Sequence, residues 1–132
     1  MAPGLFTADA SGKGVAAAQS VQVQVNGLQL VAPVFRCSAG ACSSIPINLG
    51  VDTPTFLTLF GTGIRNRSSL SGVTVTIKGN SVPVQFAGPQ GFYAGLDQVN
   101  IALPLTLRGS GESDLVLTVD GVAANTVRVN IQ

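Results

Sequence analysis

Histidine and tryptophan are absent from this sequence, and charge is scarce. Only 10 % of the 132 residues are charged, against about 25 % in a typical soluble domain. Without histidine, the Ser-His-Asp and Cys-His nucleophile systems are excluded. Two cysteines alone do not make a four-ligand zinc site. We therefore expect no catalysis, no cofactor and no metal.

The few charges show no pattern that points to a reaction or to nucleic acid. The seven Lys and Arg residues are dispersed and the net charge is +1, so no basic stripe is available for nucleic acid. No apolar run approaches the roughly 20 residues that cross a bilayer, and we expect no membrane insertion. The six carboxylates show no spacing that selects an acid–base pair, and each is expected to cap a turn: Asp9, Asp52, Asp97, Glu112, Asp114 and Asp120.

Short alternating segments separated by turn residues fill most of the chain. Ser20–Val25 places three valines on one face, and Asn26-Gly27 predicts a type I′ hairpin turn. Leu28–Phe35 is expected to return beside it as an edge strand, because it contains Pro33. Eight or nine such strands and no helical periodicity predict an all-β antiparallel β-sandwich of about 7–9 strands. A closed barrel is the structural alternative.

One segment, Thr55–Phe60, is apolar on both faces of an extended strand. Phe56 and Phe60 fall on one face, with two leucines on the other. A strand of this kind is covered on both sides, so we expect it at the centre of a sheet. We also expect both phenylalanines in the core between the sheets.

The two cysteines, Cys37 and Cys42, lie close together in a loop rich in small residues. A disulfide that closes this loop is the preferred interpretation, and it indicates an oxidising, extracytoplasmic compartment. Two free thiols at a loop tip are the alternative.

Two pairs of side chains are possible contact residues. Gln98 and Asn100 alternate onto the outer face of their strand; they either contact a ligand or, as we prefer, bond to backbone and hold the preceding glycine-rich loop. Phe92 and Tyr93 lie in that loop. They either anchor a partner or sugar or, preferably, plug the end of the sandwich.

Arg65 and Arg67 form a small basic loop with Asn66 and Ser68. This loop is a further possible contact site, for an acidic polysaccharide or a neighbouring domain. The preferred interpretation is a solvated connector, whose arginines contribute little to stability.

From Pro3 to Gln132 the chain resembles a C-terminal domain family first described from secreted Solibacter proteins of unknown function. It is also similar, over Val73–Gly79 followed by Val82–Phe86, to the transcription-factor-type immunoglobulin-like domains of bacterial surface proteins. The most specific matching motifs are Leu59-Phe-Gly-Thr-Gly-Ile-Arg65, Ala87-Gly-Pro-Gln-Gly91, Gly95-Leu-Asp-Gln-Val-Asn100 and Ala124-Asn-Thr-Val-Arg-Val-Asn130.

The resemblance implies one immunoglobulin-like sandwich over residues 1–132, with an irregular lead-in over 1–14, at the C-terminal end of a larger exported protein. It implies no reaction and no catalytic residues, and the cysteine pair is a departure from the family. We therefore expect a non-catalytic structural or interaction module, extracellular or at the cell surface, that contacts neighbouring domains or surface proteins. The alternative is a carbohydrate- or glycan-binding module.

Overall fold

The computed structural model describes residues 2–50 and 53–132, and it shows an all-β protein built from antiparallel sheets that form a β-sandwich. Eight strands have five or more residues and five are shorter, which agrees with the predicted number of main strands. The strands are β1 (Gly4–Leu5), β2 (Gln19–Val23), β3 (Gln29–Pro33), β4 (Phe35–Ser38), β5 (Ala41–Ser44), β6 (Thr55–Thr62), β7 (Val73–Ile77), β8 (Asn80–Val82), β9 (Val84–Pro89), β10 (Asp97–Ala102), β11 (Gly111–Val119), β12 (Val122–Ala123) and β13 (Val127–Ile131).

The first sheet has the order β3-β2-β6-β10-β9, and β1 also pairs with β6. The strand that is apolar on both faces, β6, lies in the middle of it, as the sequence predicts. The second sheet has the order β12-β11-β7-β8, and β13 pairs with β11. Two short 3₁₀ turns, Leu70–Gly72 and Leu105–Leu107, lie in loops.

The core is aliphatic, and here one prediction is wrong. Leu57 and Leu59 of β6 are buried among valines, leucines and isoleucines of both sheets, whereas Phe56 and Phe60 are half-buried on the outer face. Both faces of β6 are apolar, so alternation alone does not say which one points inward. Gly61 also lies on the leucine face, and an added Cβ there would meet the backbone of β1.

The hairpin turns form at sites that contain glycine, but one turn has a different type from the one that the sequence predicts. Asp120 and Gly121 both have positive φ (49° and 84°) and join β11 to β12 as a two-residue turn. At the predicted type I′ turn only Gly27 has a positive φ, of 86°, and the Gln24 N–H donates to Leu28 O at 2.8 Å. This is a three-residue loop with one glycine in the left-handed region, so the type I′ assignment is wrong while the hairpin is confirmed.

The loop that carries the cysteines is itself a hairpin of β4 and β5. Cys37 and Cys42 are direct cross-strand partners with Cα atoms 4.0 Å apart, and their sulfur atoms are bonded to each other. The predicted disulfide is confirmed. Disulfides persist in oxidising compartments, so the bond indicates such a setting.

The predicted irregular lead-in contains a short strand, β1, which the side chain of Asn125 holds in place. Asn125 Oδ1 accepts from the Leu5 N–H at 2.7 Å, and its amide group donates to Leu5 O and to Gly12 O at 3.0 and 2.8 Å. Nearby, β13 receives two further segments in parallel, at Val15 and at Ile47. Distant parts of the chain therefore meet along the last strand.

Candidate functional site

The outer face of the first sheet carries aromatic and amide side chains from several neighbouring strands. Strand alternation and the pairing registers place the following residues on it: Gln19, Val21 and Val23 of β2; Gln29, Val31 and Pro33 of β3; Phe56, Thr58 and Phe60 of β6; Phe86 and Gly88 of β9; and Gln98, Asn100 and Ala102 of β10. We call this set the uncharged face. None of these described side chains carries a charge.

The outer face of the second sheet is different, because it carries charges of both signs. Glu112 and Asp114 of β11 are exposed there, and Arg128 of β13 lies beside Asp114 with an Nε–Oδ1 distance of 4.0 Å. The two faces of the sandwich are therefore chemically distinct, and one of them is suited to contact with an uncharged partner.

A shallow groove of about 290 Å³ crosses the uncharged face. Its walls come from all five strands of the sheet and combine valine and phenylalanine side chains with the side chains of Gln29, Thr58, Gln85 and Asn100. Beside it, the ring of Phe86 reaches over Gly88, where an added Cβ would lie 3.3 Å from Phe86 Cζ. A groove with apolar walls and a few polar side chains is the kind of surface that binds small molecules.

Gln98 and Asn100 belong to this face and do not hold the loop. Gln98 Nε2 donates to Asn100 Oδ1 at 2.8 Å, so the two amides orient each other. The preferred interpretation, that they bond to loop backbone, is wrong. Gln90 has that role, because its Oε1 accepts from the N–H groups of Phe92 and Tyr93 at 2.8 and 3.1 Å.

Phe92 and Tyr93 project from the loop between β9 and β10 and do not plug the sandwich. Phe92 is 89 % exposed and Tyr93 is 71 % exposed. The loop that carries them is internally bonded, since the Gln90 N–H donates to Leu96 O at 2.9 Å and the Leu96 N–H donates to Tyr93 O at 3.2 Å. The preferred plug interpretation is wrong, and the alternative of an exposed aromatic pair describes the structure.

The basic loop is not a solvated connector either. Arg65, whose side chain is 38 % exposed, donates from Nε to Asp97 Oδ1 at 2.6 Å and from Nη2 to Leu96 O at 3.1 Å. Arg67 donates from Nε to Ala87 O at 2.7 Å. Each arginine thus ties the loop after β6 to the strands that carry the aromatic loop.

Asp97 is the charged group at the centre of this arrangement, and its side chain is 1 % exposed. Its Oδ2 accepts from the N–H groups of Ile64 and Arg65 at 2.8 and 3.1 Å. Burial alone would raise the pKa of Asp97, but these hydrogen bonds and the Arg65 guanidinium outweigh it and lower the pKa below its usual value. Asp97 does cap a turn, but a turn more than 30 residues away, which alternation along β10 does not reveal.

Asp9 caps a local turn, as predicted, whereas Asp120 binds a loop 52 positions away. Asp9 Oδ1 accepts from the Ser11 hydroxyl and N–H at 2.7 and 3.0 Å, and these bonds lower the pKa of Asp9. Asp120 accepts from the N–H and hydroxyl of Ser68 at 2.9 and 2.7 Å. Asp52 lies outside the described residues.

Within residues 2–50 and 53–132 no group of three or more metal-ligating side chains comes together. Over the same residues, no helix is long and apolar enough to cross a membrane. The uncharged face and the exposed aromatic loop are the candidate contact surfaces.

Comparison with protein-family models, with curated proteins and with solved structures finds no match to this chain. The family resemblance stays a prediction, and the case for a function depends on the surfaces described above.

Proposed function

We propose that this domain is a non-catalytic structural and interaction module of an exported bacterial protein, and that the uncharged face is its contact surface. The observation that carries the proposal is the segregation of charge: the outer face of the first sheet has none, whereas that of the second sheet has both signs. The centres of protein interfaces are depleted of charge and enriched in aromatic residues.

The rest of the structure supports this role. The disulfide fits an exported protein. The backbone of the loop that carries Phe92 and Tyr93 is hydrogen-bonded through Gln90 and Arg65. An ordered loop loses less entropy on binding, and aromatic side chains are common anchors of interfaces.

Binding of the labelled chain to intact cells and isolated envelopes of the source bacterium tests the proposal. The variant Thr58→Lys with Asn100→Lys places two charges on neighbouring positions of the uncharged face, and we expect it to abolish saturable binding. The matched control is Thr74→Lys with Thr118→Lys, a neighbouring pair on the outer face of the second sheet. Equal binding by the two double variants would contradict the proposal.

A second candidate, a carbohydrate-binding module, is favoured by one observation. The ring of Phe86 covers Gly88 beside the bonded amides of Gln98 and Asn100, and aromatic rings next to amides suit a neutral sugar. Pull-down of the chain by insoluble cellulose, chitin and starch tests this. Saturable binding that Phe86→Ala removes and Val122→Ala keeps would favour it, and no binding to any of the three would contradict it for these polymers.

A further inference from the structure

Strand β3 forms an exposed edge of the first sheet, and on its inner side a groove lies between it and the segment 45–48. All five of its residues are exposed. Leu30 points to the inner side of the sheet and Val31 to the uncharged face, yet the two residues are 50 % and 56 % exposed. The hairpin of β2 and β3 therefore extends beyond the part of the sheet that the second sheet covers.

The other sheet edges of the described structure are short, irregular or covered. At β9 the register shifts between Asn100 and Ile101 of its partner, and β8 has three residues. Along β13, the segments at Val15 and Ile47 pair with its outer edge. Proteins blunt their edges in this way to prevent strand addition. The five-residue edge at β3 differs from these edges, because its one feature that opposes strand addition is the proline at its last position.

The backbone groups that β3 presents to solvent follow from its pairing with β2. The Gln24 N–H donates to Leu28 O at 2.8 Å and the Val34 N–H donates to Ala18 O at 3.1 Å, in the same register as the strands. Because bonded pairs alternate in an antiparallel ladder, the odd-numbered residues of β3 point away from β2. The open edge thus offers two N–H groups, of Gln29 and Val31, and the carbonyl groups of both residues and of Pro33.

We propose that β3 is a dimerisation edge that pairs with β3 of a second copy of this chain, antiparallel, with the two-fold axis at Val31. Val31 is the middle residue of the strand, so this axis aligns all five residues. The Val31 N–H of each copy then donates to Val31 O of the other, and each Gln29 N–H donates to Pro33 O. All of the N–H groups on the open edge are used, and Pro33, which lacks one, lies where none is needed.

The absence of charge favours a second copy as the occupant. Between Lys13 and Arg36 the sequence contains no charged residue, so the two-fold pairing brings no like charges together. A charged peptide would find no counter-charge along this edge. Valine opposite valine is a favourable cross-strand pair. Pairing would join the uncharged faces of both copies into one surface; the inference does not rest on what that face binds.

Sedimentation velocity on the 132-residue chain across the micromolar range tests the proposal. We expect a dimer that dissociates on dilution. Val31→Pro removes an N–H that β2 does not use, and with it two of the four hydrogen bonds between copies, so we expect dimerisation about 30-fold weaker. Val31→Thr keeps the N–H and the branched shape and is the matched control. Circular dichroism checks that each variant is folded.

A charge exchange tests the position of the axis. Val31→Lys and Val31→Glu each place like charges opposite one another, and each is expected to be monomeric alone. An equimolar mixture of the two is expected to form a heterodimer, because Lys then faces Glu. A monomeric wild-type chain at every concentration, a Val31→Pro variant as dimeric as wild type, or a mixture of folded variants that stays monomeric would overturn the proposal.

Discussion

Replacing Asp97 by alanine is expected to destabilise the protein more than removing any exposed charge. The change leaves the N–H of Ile64, which is fully buried, without its acceptor, together with the N–H and guanidinium of Arg65. Breaking a buried ion pair costs about 3–5 kcal/mol. Because the Arg65 side chain is 38 % exposed, water replaces part of its lost contact, and we expect the low end, about 3 kcal/mol.

Urea unfolding at neutral pH measures this loss as a change in the free energy of unfolding. The matched control is Asp114→Ala, since Asp114 is also paired with an arginine but is exposed, and exposed pairs contribute at most about 1 kcal/mol. A loss from Asp97→Ala no greater than that of the control would show that the carboxylate does not hold the loop after β6.

The charge of Asp97 gives a second test, through pH. Its pKa is lowered in the folded state from the ordinary value of 3.8, so its stabilising contribution is complete above that value and is lost as the pH falls through the lower folded-state pKa. We therefore expect the stability difference between wild type and Asp97→Asn to be largest at neutral pH and to shrink as the pH falls below 3.8. An unchanged difference would mean that the ionised form makes no special contribution.

Three further predictions concern the core, the disulfide and β1. Leu57→Ala is expected to lower the free energy of unfolding by about 2–5 kcal/mol, because it leaves a cavity in the core. Phe56→Ala is expected to lower it less, because Leu57 is fully buried and Phe56 is not. Thermal unfolding ranks the two variants, and the reverse order would place the phenylalanine face inside. Cys37→Ser with Cys42→Ser is expected to lower the free energy of unfolding by about 2 kcal/mol without changing the circular dichroism spectrum, and a lost spectrum would show that the hairpin needs the bond. Gly61→Ala is expected to displace β1, because the added Cβ meets backbone of β1; faster proteolysis before residue 19 would show it, and wild-type cleavage would refute it.

Much of the fold is predictable because alternation and turn chemistry agree along the chain. The central position of β6, the edge position of β3 and the hairpin at Asp120 all follow from local patterns. The inward face of β6 does not, since both of its faces are apolar and only the leucine face is buried between the sheets. Which of two apolar faces packs inward is a tertiary property.

The candidate surfaces are less predictable, because each depends on contacts between distant residues. Arg65 is read from the sequence as a loop residue, yet it binds Asp97 across 32 positions. Asp97 in turn alternates inward with Val99 and Ile101. Only the folded structure shows that the hydrogen-bond donors of Ile64 and Arg65 surround its carboxylate. The sequence shows which residues are charged, but it does not show which residue each of them binds in the folded protein.

The last strand has a consequence for how the protein is made. As the chain is synthesised from its N-terminus, the segments at Val15 and Ile47 emerge long before their partner β13. Leu5 likewise emerges long before Asn125, whose side chain accepts its N–H hydrogen bond. Non-local pairings of this kind slow folding. The pairings at Val15 and Ile47 and the contacts of Leu5 with Asn125 therefore form only after β13 has been synthesised, whereas β2, β3 and β6 can pair with one another before it.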